Sequence, residues 1–129
     1  MTKKIIIGNW KMNPVSRREA REIVSGIKKT VASLRKTTVV LCPPVIYLEN
    51  LIGKKPGKTL FGAQDVYWEE KGAHTGNISP IMLKETGALY VILGHSERRA
   101  SGEVGEIINR KIKAAMKAGL KVVLCVGEK

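Results

Sequence analysis

Cysteine, histidine and aromatic side chains are scarce in this sequence: its 129 residues include two Cys, two His, two Trp, three Tyr and a single Phe. Cys42 and Cys125 lie far apart in apolar runs and form none of the short spacings of zinc or redox motifs, so two buried, reduced thiols are expected. His74 and His95 fall at no ligand spacing, and neither a metal nor a cofactor is expected. Long hydrophobic runs are absent as well. No stretch approaches the roughly eighteen apolar residues of a membrane span. The basic start MTKK is followed only by Ile5 to Ile7, too short an apolar core for a signal peptide. A cytoplasmic chain without a membrane partner is expected. Acidic residues are the scarcer charged class, 11 against 23 Lys and Arg, for a net charge of +12. That excess favours anionic ligands. The basic residues are scattered along the chain and not interleaved with aromatics, which reads as a solvated basic surface, and nucleic acid is not expected as a partner.

What is present is a regular alternation. The short apolar runs KIIIGN (4–9), TVVLCP (38–43), TLFGA (59–63), LYVILG (89–94) and KVVLCVG (121–127) are apolar on both faces, as parallel strands covered by helices are. Between them lie helical patterns. From Ser16 to Arg35, Ala20, Ile23, Val24, Ile27, Val31 and Leu34 recur at helical spacing, and Ser16 with Glu19 forms a capping-box pattern. PVIYLENLIG predicts a short helix. SPIMLKETG predicts another, with Ser79 as N-cap, Pro80 at the first helical position and Gly87 as terminator. A helix from about Glu103 to Ala118 would bury Val104, Ile107, Ile108, Ile112, Ala115 and Met116 and stop at Gly119. Five strands and four helices in βαβ order predict one α/β domain over 1–129 with a parallel sheet. The longest irregular stretch, 64–78, reads as a functional or partner-binding loop.

In parallel α/β proteins the reactive groups gather at the C-terminal ends of the strands. Three polar sets fall there: Asn9 and Lys11 after the first strand, Gln64 after the third, and His95 to Glu97 after the fourth. A lysine can hold a phosphate or a developing oxyanion, an imidazole can donate a hydrogen bond to a carbonyl, and a carboxylate can orient both. Taken singly, Lys11 reads equally as a surface lysine, His95 as a structural histidine and Glu97 as a first-turn carboxylate of a helix.

GNWKMN (8–13), GAQDV (62–66), GAHTGNIS (72–79), VILGHSERR (91–99) and LCVGE (124–128) resemble, in order and interval, the motifs of the triosephosphate isomerase family. The resemblance covers essentially the whole chain. It implies a parallel half (β/α) barrel, ending after the fifth strand of a fold that has eight strands and about 250 residues. It also implies site residues. His95, Lys11 and Glu97 would be catalytic, His95 polarising the substrate carbonyl as a neutral imidazole. Asn9, Lys11 and Ser96 would bind substrate, Ser96 and Glu97 positioning Lys11 and His95. Arg98 and Arg99 would brace the barrel and helix edges. Gln64 and Thr75 would lie at an oligomer contact, with the loop tip inserted beside Lys11 of a neighbouring subunit. Two departures stand out: Asn77 replaces the usual glutamate of the TGE pattern, and RRASGE looks shortened.

The family's glutamate base, closing loop and late phosphate-binding loops find no counterpart in these 129 residues, so little or no isomerase activity is expected of the chain alone. One alternative is an active isomerase of glyceraldehyde 3-phosphate and dihydroxyacetone phosphate, in glycolysis and gluconeogenesis, through an oligomeric or complemented site. Another is a basic polyanion-binding module. An open half-barrel would expose strand side chains and two edges, so a homodimer or higher oligomer is expected, with weak binding of triose phosphate or another anion.

Overall fold

The computed structural model describes residues 3–55 and 57–127; Glu128, the last residue of the LCVGE motif, lies outside them. Strand β1 (Lys4–Asn9) leads through α1 (Arg17–Val31) to β2 (Thr37–Cys42), and α2 (Val45–Ile52) leads to β3 (Leu60–Ala63). Then come α3 (Pro80–Thr86), β4 (Tyr90–Leu93), α4 (Ser96–Ala100), α5 (Gly105–Lys117) and β5 (Lys121–Leu124). The strands form one parallel sheet in chain order, β1-β2-β3-β4-β5. Parallel strands laid down in sequence and joined by helices are half of a (β/α) barrel.

The sheet separates two apolar clusters because side chains alternate across a strand. Val39 and Leu41 of β2, Phe61 and Ala63 of β3, and Val91 and Leu93 of β4 pack with the helices, against Ala20, Val24, Leu48, Leu51, Leu83 and Ala115. Val40 and Cys42, with Tyr90 and Ile92, point to the other face and meet Ile7, Leu60, Val123 and Cys125. Leu48, Leu83 and Leu93 are among the largest fully buried side chains. Cutting any of them to Ala would cost about 2–5 kcal/mol. The two sheet edges are less well covered: Ile5 and Ile6 on β1 are 55% and 57% exposed, and Val126 beyond β5 is 83% exposed.

The helix ends follow local chemistry. Ser16 Oγ accepts the Glu19 N–H and Ser79 Oγ the Met82 N–H, each satisfying one of the free donors of a first turn. Gly87 and Gly119 close α3 and α5 in the left-handed region.

Several expectations need correction. The described residues form five helices: α4 starts within the GHSERR stretch and is a five-residue turn too short to show periodicity. Helix α1 stops at Val31, and Leu34 packs on the core from outside it. Helix α5 starts at Gly105, and its buried stripe is Ile108, Lys111 and Ala115, while Val104 and Met116 are exposed. Strand β5 ends at Leu124. Cys42 is buried as expected, but Cys125 is only half-buried, because it follows the edge strand; both are free thiols. Residues 64–78 contain neither helix nor strand, and the loop is closed by Tyr67 N–H donating to Ile78 O at 2.8 Å.

Candidate active site

The parallel sheet places the ends of β1, β3 and β4 on one rim. Asn9 is the last residue of β1, and its Oδ1 accepts the Lys11 N–H at 2.9 Å. Lys11 has φ +56, which costs a non-glycine residue energy and persists only where neighbours brace it. Gln64, directly after β3, supplies the brace: its Nε2 donates to Lys11 O at 2.7 Å and to Cys42 O at 2.9 Å. The same Cys42 carbonyl accepts the Trp10 N–H at 3.1 Å. A single side-chain amide thus ties the loop after β1 to the end of β2.

Gly94 ends β4 in the left-handed region, with φ +71. That φ strains any residue with a side chain, and a Cβ there would sit 2.7 Å from Arg99 Nη2, which would have to shift. Arg99 uses the space: Nε donates to Gly94 O at 2.6 Å and Nη2 to Cys125 O at 3.0 Å, joining the ends of β4 and β5. His95 caps α4. Its Nδ1 accepts the Glu97 N–H at 3.1 Å. A ring nitrogen that accepts carries no proton, so the neutral ring holds its proton on Nε2 and offers it as a donor. A cavity of about 550 Å³ bordered by His95, Ser96, Arg99, Cys125 and Val126 opens beside the ring.

Glu97 links the two halves. Its Oε1 lies 2.9 Å from Lys11 Nζ and its Oε2 lies 3.6 Å from His95 Nδ1. The Lys11 hydrogen bond holds the Glu97 carboxyl below its ordinary value, against an opposing effect of desolvation. The structure therefore joins Asn9, Lys11, Gln64, His95 and Glu97 through direct contacts. Ser96 is exposed at the first position of α4, and Thr75 is exposed near the tip of the 64–78 loop. Gly76 and Asn77 of that loop border a cavity with Lys11 and Gln64. The Gln64 amide, expected at an oligomer contact, makes its hydrogen bonds within this chain.

A second set of charges supports the rim and was missed in the sequence. Lys111, on α5 and only 4% exposed, donates to Asp65 Oδ1 and Oδ2 at 2.9 and 3.1 Å and to Glu103 Oε2 at 2.8 Å. Arg98, on α4, reaches Asp65 Oδ2 and Glu103 Oε2, both at 3.1 Å. The network fastens Asp65, next to Gln64, to the helix that carries Glu97. Burial pushes the Glu103 carboxyl up, but the bonds from Lys111 and Arg98 outweigh it and hold the group below its ordinary range. Spacing held the signal: Lys111 lies three residues after Ile108 and four before Ala115, on the buried stripe of α5. Cys42 stands at the end of β2, yet burial, only partly offset by the hydrogen bond from the Gly62 backbone, pushes its thiol up to about 12. It is a core side chain and not a nucleophile. Among the described residues, no group of three or more His, Cys, Asp or Glu side chains is placed to hold a metal ion.

A sequence model of the triosephosphate isomerase family matches residues 4–129. Curated relatives include triosephosphate isomerases of Natranaerobius thermophilus, 46% identical over 129 residues, and of Alkaliphilus oremlandii, 48% identical over 130. Each alignment covers 99% of this chain, and 50% and 52% of the respective relative. A triosephosphate isomerase of Dehalococcoides mccartyi is 47% identical over 131 residues, covering 100% of this chain and 51% of its own length. The chain spans about half the length of the curated relatives it matches.

Proposed function

We propose, for a chain that belongs to the triosephosphate isomerase family, that its rim residues form the anion-holding and carbonyl-polarising part of a site interconverting glyceraldehyde 3-phosphate and dihydroxyacetone phosphate. The observation that carries this reading is the Lys11–Glu97–His95 linkage, with His95 Nδ1 occupied as an acceptor. Lys11 meets the negative charge of the substrate. His95 Nε2–H donates to the substrate carbonyl and stabilises the oxyanion that develops when a neighbouring carbon loses its proton. Asn9 holds the Lys11 backbone, Glu97 positions the ammonium, and Ser96 borders the cavity beside His95.

The carbon proton needs a base. Glu97, the carboxylate in contact with Lys11 and His95, is committed to the ammonium. A positioned general base contributes about 10²–10⁴ in rate, so the 129-residue chain by itself is expected to bind triose phosphate weakly and isomerise it slowly or not at all. The test is isomerisation by protein made in a host lacking its own isomerase, beside Lys11→Ala and His95→Ala. Activity at the level of the two variants is expected. Substantial turnover abolished by either substitution would overturn the low-activity reading and favour a site completed by another copy or another chain.

The exposed Ile5, Ile6, Leu124 and Val126 at the sheet edges support a second element of the proposal, a homodimer or higher oligomer. Sedimentation as a monodisperse monomer would contradict it. The same reading places the chain in the cytoplasm, in glycolysis and gluconeogenesis. None of the described helices is long and apolar enough to cross a membrane.

A further inference from the structure

Four of the basic residues that look scattered in the sequence line one groove in the fold. Arg110, Lys113 and Lys117 of α5 stand at i, i+3 and i+7, so they share one helix face. Lys71, from the 64–78 loop, faces the same groove, whose volume is about 550 Å³. That volume lies within the roughly 300–1,000 Å³ of small-molecule sites. Glu69 and Glu70 are the carboxylates on its wall. Glu70 lies 4.0 Å from Lys117, and Arg110 pairs with Glu106 at 3.3 Å; Lys71 and Lys113 have no ion pair among the described residues. Four cations thus face two carboxylates, and two of the cations are uncommitted.

The rest of the groove is apolar. Pro80, Ala114 and Ala118 form small surfaces, and the half-buried Trp68 forms a wall. Trp68 is held in place by Tyr67, stacked at 4.1 Å between centroids, and by the Arg110 guanidinium 5.7 Å from its ring centre. The Arg110 guanidinium over the indole, beside small residues, offers a flat cationic platform for a planar ring, and the uncommitted ammonium groups of Lys71 and Lys113 accommodate phosphate charge. None of Asn9, Lys11, His95 or Glu97 borders this groove.

We propose that the groove between α5 and the 64–78 loop is a binding site for a nucleotide, a planar base carrying phosphates. The ring lies on the Arg110 guanidinium, which Trp68 backs, and on the Pro80–Ala114 surface, and the phosphates reach Lys71 and Lys113, with Lys117 released from Glu70 to join them. The site is independent of the isomerase reading and stands or falls apart from it.

The test is calorimetric titration of the 129-residue chain with ADP, with inorganic pyrophosphate and adenosine as comparison probes. Saturable one-to-one binding of ADP is expected, tighter than either comparison probe and weaker as salt rises. Lys71→Ala combined with Lys113→Ala should weaken it about tenfold, and Trp68→Ala about fivefold, while Lys11→Ala leaves it unchanged. Lys71 and Lys113 are exposed, so those substitutions keep the test valid even if Trp68→Ala disturbs the loop. Absence of saturable binding overturns the proposal. Pyrophosphate binding as tightly as ADP, or loss of ADP binding in Lys11→Ala, overturns it equally.

Discussion

Replacing Lys111 by Met removes the ammonium at the centre of the buried charge network while nearly keeping the volume of its stem. In the native chain Lys111 and Glu103 have side chains only 5% exposed, and Asp65 is 29% exposed. Without Lys111, Arg98 is the remaining partner of both carboxylates, and it is half-exposed itself. Removing one member of a buried pair typically costs about 3–5 kcal/mol, because the other charge stays buried without its partner. Retention of Arg98 argues for the lower end, about 3 kcal/mol. With a urea slope of roughly 1.5 kcal/mol/M, the midpoint should fall by about 2 M. Circular dichroism during urea unfolding reads this directly. The sign of the pH dependence is also fixed. The Glu103 carboxyl is held below its unfolded value, so its contribution is fully present above about pH 4.3 and is lost as pH falls through the lower folded-state value. The gap between native protein and Lys111→Met should therefore narrow in acid. Adding Glu103→Gln to Lys111→Met should recover part of the loss, since it removes the stranded charge. A Lys111→Met protein within about 0.5 kcal/mol of native at pH 7 would refute the reasoning, as would a loss that does not change with pH.

Three further expectations follow from the rim. Gln64→Ala deletes the donor to Lys11 O and Cys42 O and should cost about 1–2 kcal/mol in urea unfolding. It should also weaken triose phosphate binding in a calorimetric titration, because Lys11 loses the brace on its positive φ; unchanged stability and binding would dismiss that role. Gly94→Ala places a Cβ against Arg99 in a left-handed turn and should cost about 2–3 kcal/mol, read as a lowered thermal midpoint. A neutral result would mean that the turn relaxes freely. With a thiol-specific reagent, half-buried Cys125 should react in the native state and Cys42 only on unfolding. Because folded Cys42 holds its proton more tightly than the unfolded thiol, stability should fall as pH rises past about 8.5. Equal reaction rates for the two thiols in the native protein would contradict the burial of Cys42.

Much of the architecture is legible in the chain because it depends on local rules. The β-branched runs around Ile5–Ile7, Val39–Leu41 and Tyr90–Leu93 read as two-faced strands, and the caps at Ser16 and Ser79 sit where their donors need them. Motif order and interval likewise carried the family. The boundaries that differ, at α1, α4 and α5, are places where a few residues of helix form or fray according to what packs above them.

The sequence by itself determined the parallel α/β order and the identity of the rim residues, because periodicity, capping and strand-end position are properties of neighbouring residues. Only the tertiary structure decided what those residues do to one another. Gln64 reaches Lys11 across 53 positions and Lys111 reaches Asp65 across 46. Such contacts arise from the stacking of successive strands and helices, which no local pattern encodes. The same packing puts Lys71 on the wall of the groove that Arg110, Lys113 and Lys117 line.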